Sequence, residues 1–214
     1  MYVKEIWRYP VKSLAGEQLH QTQLTALGLP GDRRIAILSE RGRWITARKY
    51  RHLLALKAST AADGTALIDG LPWYEAEAQD AVRKASEPTA LLVPVEGPES
   101  FDVLPLSIAT DGAVAYMAVD RRRFRPNLLI GGVEGLAERQ WPGGALRIGS
   151  ALIRMVKLRA RCVMTTWDPD TQAQDPSVLQ RIVDELEGTL SLDSLVEQPG
   201  LVHVGDAVEL IPAA

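Results

Sequence analysis

Only one stretch of this chain keeps the 3.6-residue rhythm of a helix through several turns; elsewhere, short apolar runs are cut by glycine or proline. With 17 glycines and 13 prolines among 214 residues, the fold must be assembled from short strands and tight turns rather than from long helices. Residues 2–9 carry Val3, Ile6, Trp7 and Tyr9 and stop at Pro10, which cannot donate to a strand ladder. A turn at 28–32 precedes an expected strand at 33–39 with Ile35, Ala36, Ile37 and Leu38 at its centre. Further strands are expected at 44–47 and 53–58. The signal then weakens from 60 to 97, where 89–95 is the best strand.

The second half opens with an expected helix at 111–119, for which Thr110 or Asp111 can accept the free amides of the first turn. Strands are expected at 124–130, 145–148 and 151–161. Alternation along the last of these puts Val156, Leu158, Ala160 and Cys162 on an apolar face, opposite Lys157, Arg159 and Arg161. The sustained helix is 176–187, with Leu179, Ile182, Val183 and Leu186 in helical spacing, Asp175 as cap, Pro176 in the first turn and Gly188 at the exit. Val202, Val204, Val208 and Leu210 alternate around a Gly205-Asp206 turn. Many short strands with two helices imply a mainly β, α+β fold of barrel type.

A formal net charge of −3 gives no global reason to bind nucleic acid or an anionic membrane. Charges at Lys4, Glu5 and Arg8 interrupt what would be the apolar core of a signal peptide, so a cytoplasmic location is expected. One cysteine forbids an internal disulfide and a four-thiolate iron–sulfur cluster. The three histidines, His20, His52 and His203, share no zinc-ligand spacing. Dinucleotide and P-loop glycine patterns are missing as well.

Four clusters could carry chemistry. Cys162 follows Lys157, Arg159 and Arg161, a positive setting that suits a reactive sulfur, and precedes an Asp-Pro-Asp-Thr turn. Its strand phase equally suits a small buried hydrophobe. Lys12 and Ser13, in a turn after the first strand, can grip a phosphate with one cation and directed donors. Arg121, Arg122, Arg123 and Arg125 crowd into five residues ahead of Asn127. The first three suit a solvated helix C-terminus, whereas Arg125 sits between Phe124 and Pro126. Gly31-Asp32-Arg33-Arg34 adds cations at a strand start.

In order along the chain, Tyr9-Pro-Val-Lys-Ser, Gly31-Asp-Arg, Ile45-Thr-Ala-Arg48, Phe124-Arg-Pro-Asn127, Arg161-Cys-Val-Met-Thr-Thr-Trp-Asp-Pro-Asp-Thr171 and Val204-Gly-Asp-Ala-Val208 resemble the MOSC proteins with an N-terminal MOSC β-barrel domain. That group includes amidoxime-reducing components and hydroxylaminopurine-resistance proteins. The resemblance implies an N-terminal barrel-like domain at 1–97 packed on a MOSC barrel at 98–214. It also implies a molybdenum cofactor (Mo-molybdopterin), with Cys162 as the protein's thiolate ligand to the metal. Lys12, Ser13, Arg33, Thr110, Arg125, Asn127 and Arg161 would bind the pterin and its phosphate. Thr165, Asp168 and Asp170 would position groups or relay protons beside Cys162.

The implied reaction is reduction of a small N-hydroxylated substrate, an amidoxime or hydroxylamine, by oxygen-atom transfer, with electrons from a separate donor protein. Two features depart from the family pattern: residues 60–105 form a shorter segment, and Gln172 stands where a glycine often follows Asp-Pro-Asp-Thr. No ferredoxin-like extension is expected after the MOSC region. An alternative use of the same cysteine is sulfur carriage, with a persulfide on Cys162. A nucleic-acid-binding barrel is disfavoured by two phenylalanines and a negative net charge.

Overall fold

The computed structural model describes residues 1–213. The chain opens with β1 (Tyr2–Arg8), β2 (Glu17–Leu19) and β3 (Gln21–Leu24), then passes through β4 (Ile35–Leu38), β5 (Ala58–Thr60), β6 (Ala66–Ile68) and β7 (Leu71–Pro72). Helix α1 (Ala76–Ala85), β8 (Leu91–Pro94), β9 (Leu106–Thr110), α2 (Asp111–Met117) and β10 (Leu128–Gly131) follow. The remainder holds β11 (Ala145–Ile148), β12 (Ala151–Ala160), α3 (Pro176–Leu186), β13 (Thr189–Gln198), β14 (Gly200–His203) and β15 (Val208–Ile211).

Eight strands make one sheet in the order β15-β11-β12-β13-β9-β10-β1-β2. Only β9 and β10 pair in parallel within it. The sheet curls until β1 meets the start of β15: Tyr2 bridges Ala207, the Val3 amide donates to the Asp206 carbonyl at 2.9 Å, and the Val208 amide donates to Met1 at 3.0 Å. Closure leaves β1 and β15 without the unpaired edges that invite aggregation. The barrel interior is filled by fully buried Ile6, Leu106, Ile108, Leu128, Ile153 and Leu192. The fold is thus mainly β and barrel-like, as the strand punctuation implies.

A second core gathers around Ile35, Ile37, Leu53, Ile68, Val82 and Leu92, beneath the β4–β8 pair, the β5-β6-β7 sheet and α1. A third joins Met117 and Phe124 to Val178, Ile182 and Leu186 of α3. The two halves of the sequence interleave. Strands β1 and β2 belong to the barrel sheet, β3 pairs with β14, and Trp167 from the second half packs into the first half's core.

Several local expectations need correction. Residues 44–47 form no strand, only a bridge from Trp44 to Leu38, and 53–58 is largely a 3-10 turn at Arg51–Ala55. The expected strand at 124–130 starts only at Leu128, because Phe124 ends a 3-10 turn and Arg125 adopts φ 51° before Pro126. In β12 the pairing register slips between Met155 and Lys157, so the alternation changes phase and Val156 lies 42% exposed instead of inside. On α3 the buried face is Val178, Ile182 and Leu186, while Val183 faces solvent. The helix ends hold: Thr110 accepts the Ala113 amide at 3.1 Å and Asp175 the Ser177 amide at 3.1 Å.

Candidate functional site

Six segments distant in sequence meet around a cavity of about 420 Å³ whose lining includes Lys12, Ser13, Arg33, Arg125, Arg161 and Cys162. The loop after β1 is pinned to β4 by the Lys12 amide, which donates to the Ile35 carbonyl at 2.8 Å. That bond places Lys12 near the turn of Arg33. Cys162 leaves the end of β12 and starts a 3-10 turn, whose Thr165 amide and hydroxyl donate to the Cys162 carbonyl at 3.0 and 2.9 Å. Cys162 is partly buried and faces this polar cavity, not the apolar interior its strand phase suggested.

The cavity walls include seven cations, Lys12, Arg33, Arg48, Arg123, Arg125, Arg159 and Arg161, against one carboxylate, Asp102. Most are held by partners: Lys12 pairs with Asp102 at 3.2 Å, Arg33 with buried Asp32, Arg123 with Asp168 at 3.1 Å, and Arg159 with buried Asp193. Arg125 and Arg161 pair with no carboxylate among the described residues. Burial pulls the Arg125 guanidinium down to about 10, and burial with the neighbouring Arg159 pulls Arg161 to about 9. One Arg161 nitrogen donates to the Phe124 carbonyl at 2.8 Å, but Nε and Nη1 are buried without any partner.

Desolvated cations and orphaned donors are costly unless an anion completes them. The arrangement therefore fits a polyanionic group lying beside the thiol. Backbone strain is present here too. Ser13, Arg33 and Arg125 all take positive φ, at 72°, 54° and 51°, a conformation costing about 1–2 kcal/mol for a residue with a Cβ. Three strained residues on one cavity wall mark a surface shaped for something other than stability.

Tyr9 organises this wall and was not singled out as a site residue by sequence. Arg125 and Arg33 lie over its ring at 4.2 and 5.0 Å from the centroid, and its buried hydroxyl is pushed up to about 12 by burial. Asp32 and Arg48, present in the motifs but given no role, and Asp102 matter through partners that sequence does not reveal.

Five expected residues stand elsewhere. Asn127 is buried outside the cavity: its amide oxygen accepts from Ser107 and Arg33, and its nitrogen donates to Trp7. Thr110 caps α2 and donates to buried Glu138. Thr165 stabilises the turn. Asp168 accepts from the Asp170 and Thr171 amides, the Thr171 hydroxyl and Arg123, and its carboxyl lies below the usual range chiefly through the Thr171 amide. Asp170 grips Arg122 at 2.6 Å, which lowers its carboxyl as well, and lines a neighbouring cavity. Both carboxylates accept hydrogen bonds from fixed partners on the protein. Arg121, Arg122 and Arg123, expected to lie in water, are instead paired with Glu5, Asp120 with Asp170, and Asp168. Lys157 is exposed and outside the cavity. No helix among the described residues is long and apolar enough to cross a membrane.

Residues 1–80 match the MOSC N-terminal beta barrel domain and residues 99–209 the MOSC domain. Mitochondrial amidoxime-reducing component 1 of Homo sapiens is 25% identical over 280 aligned residues, spanning 98% of this chain and 82% of its own length. Mitochondrial amidoxime reducing component 2 of Homo sapiens is 26% identical, spanning 96% and 82%. Alignments of this length against 214 residues mean that these relatives carry insertions. The YUAD protein from Bacillus subtilis has the same fold, with a TM-score of 0.53 at 15% identity over 100% of this chain and 96% of its own. The order of sequence motifs, the closed barrel and these matches agree: this chain belongs to the MOSC domain family, with a MOSC N-terminal β-barrel domain preceding the MOSC domain.

Proposed function

We propose that the protein binds the molybdenum cofactor at the Cys162 cavity and reduces small N-hydroxylated compounds with electrons from a separate donor protein. The observation that carries this reading is a pair of partly buried guanidinia, Arg125 and Arg161, left without carboxylate partners among the described residues and lining one cavity with the chain's one cysteine. A soft thiolate suits a high-valent metal, and arginine forks suit the phosphate of a pterin. The naming of relatives as amidoxime-reducing components supports the same chemistry.

Cys162 would ligate the metal, and Lys12, Ser13, Arg33, Arg125 and Arg161 would hold the organic part. When bound, the cofactor supplies two-electron redox chemistry and an acceptor for the substrate's oxygen. The chain's own work is electrostatic and positional. Asp32 and Asp193 keep Arg33 and Arg159 aimed at the cavity, Tyr9 supports Arg125, and Thr165 fixes the backbone at Cys162. Asp168, tied to Arg123, braces the turn that follows. Sulfur carriage on Cys162 would use the same thiol, but a persulfide gives no reason for two uncompensated guanidinia.

The test is molybdenum content and amidoxime reduction in protein made by a host that synthesises the cofactor. About one molybdenum per chain is expected, with Cys162→Ser losing activity while keeping the wild-type circular dichroism spectrum. Metal-free wild-type protein, or full activity in Cys162→Ser, refutes the reading.

A further inference from the structure

We propose that a second cavity, adjoining the first, recognises a planar aromatic ring bearing an anionic substituent, with Lys57 reading the anion. It rests on the reductase reading for its link to turnover, and on the geometry alone for its ligand. The cavity has a volume of about 260 Å³ and is walled by Trp7, Tyr9, Trp167, Lys57, Arg125 and Met164 among others. That size is just below the range of about 300–1,000 Å³ for pockets holding drug-sized ligands, so it suits one ring or a compact bicycle.

Three features define the occupant. The aromatic residues Trp7, Tyr9 and Trp167 contribute walls on which a flat ring packs well. Gly16 lets the chain pass hard against the Tyr9 wall, because a Cβ there would sit 2.5 Å from the Tyr9 ring and 2.5 Å from the Arg8 carbonyl oxygen. The charge on the lining is not balanced from within. Arg122 is bound by Asp120 and Asp170, and Arg123 by Asp168, whereas Lys57 and Arg125 pair with no carboxylate among the described residues. Arg125 also faces the Cys162 cavity, so Lys57 is the cation left for a ligand of this pocket.

The two cavities share Arg123, Arg125 and Met164. Met164, two residues beyond Cys162 and beside Trp167 in the same turn, lines both cavities, so a ring held against Trp167 lies next to their boundary. In that pose the anion points to Lys57 and the reducible group toward the thiol. The pocket thus selects among N-hydroxylated compounds: a flat ring with a carboxylate remote from the N–OH group is preferred over its uncharged parent.

The experiment compares benzamidoxime with 4-carboxybenzamidoxime as ligands of the cofactor-loaded protein, by titration calorimetry and by quenching of tryptophan fluorescence, independently of turnover. The carboxylate should bind roughly fivefold more tightly, the upper end for one solvent-exposed ion pair. Lys57→Met, a change at an exposed position, should abolish that preference, and Lys57→Arg should retain it. Equal affinities in the wild type, or a preference that survives Lys57→Met, would overturn the proposal. Charge-selective binding without reduction would sink the reductase reading alone. Reduction without charge selectivity would sink the pocket assignment alone.

Discussion

Buried charge serves two ends in this molecule, and single residues separate them. Arg125 and Arg161 face a cavity that an anion can enter, whereas Glu138 is fully buried at the base of α2. Glu138 Oε2 accepts from the Thr110 hydroxyl at 3.0 Å, while Oε1 has no partner. Burial raises its carboxyl pKa. A carboxyl with a raised folded pKa favours the folded state most fully below its unfolded value, and that contribution is lost as pH rises through the folded pKa. At neutral pH the charge is a burden. Glu138→Gln is therefore expected to raise stability at pH 7 by an amount on the order of 1 kcal/mol, with the gain shrinking toward zero below about pH 4. Urea midpoints at the two pH values check this, and a lower midpoint for the variant at pH 7 would count against it. At this scale the sequence shows residue types but not partners. Lys12, Ser13, Arg33, Arg125, Arg161 and Cys162 do line one cavity. Asn127 and Thr110 look equally competent in sequence, yet their polar atoms are consumed by Ser107, Arg33 and Trp7, and by Ala113 and Glu138.

Elements were legible where local chemistry decides them and obscure where distant packing does. Helix α3 announces itself through Asp175, Pro176 and its apolar spacing, and β1 through its β-formers and Pro10. Helix α1 does not, since only Ala78 and Val82 are buried along it and a helix covering a core with two small side chains leaves little periodicity. Strand β13 hides for the opposite reason: Ser191, Asp193 and Ser194 are buried beside Leu190 and Leu192, so no polar face marks the alternation. The phase error in β12 comes from its bulge, which turns Val156 outward on the way to Cys162. Glycine positions carry information of the same kind. Helix α2 packs so closely on the segment after β10 that a Cβ at Gly112 would lie 2.4 Å from the Gly135 carbonyl oxygen and 2.5 Å from that of Val133. The Asp111 carboxylate locks this approach by accepting the Gly132 and Val133 amides at 2.9 and 3.0 Å. Backbone atoms on a pinned segment cannot give way cheaply, so Gly112→Ala should cost about 1–3 kcal/mol. The drop should appear in the urea midpoint with an unchanged slope. A variant as stable as wild type would mean that α2 shifts freely.

Across the whole molecule, the order of the sequence and the order of folding units part company. Dividing the chain near residue 97 would remove β1 from between β10 and β15, and with it the seam that closes the barrel. It would strip β3 from β14 and leave Ile6, Leu24 and Leu29 missing from the barrel core. The first half would in turn lose Trp167 from its own core and Arg125 from the face of Tyr9. Each half is stabilised by surface that the other covers, and marginal net stability leaves little margin for such losses. Urea unfolding of the intact chain should therefore be a single step, with far-ultraviolet circular dichroism and tryptophan fluorescence giving the same midpoint. Residues 1–97 and 98–214 made separately should show no cooperative transition, and mixing them should restore one. If 98–214 alone unfolded sharply at the midpoint of the whole chain, the barrel would not need its first strand, and the Cys162 cavity would be a cleft between independent bodies rather than a product of one fold.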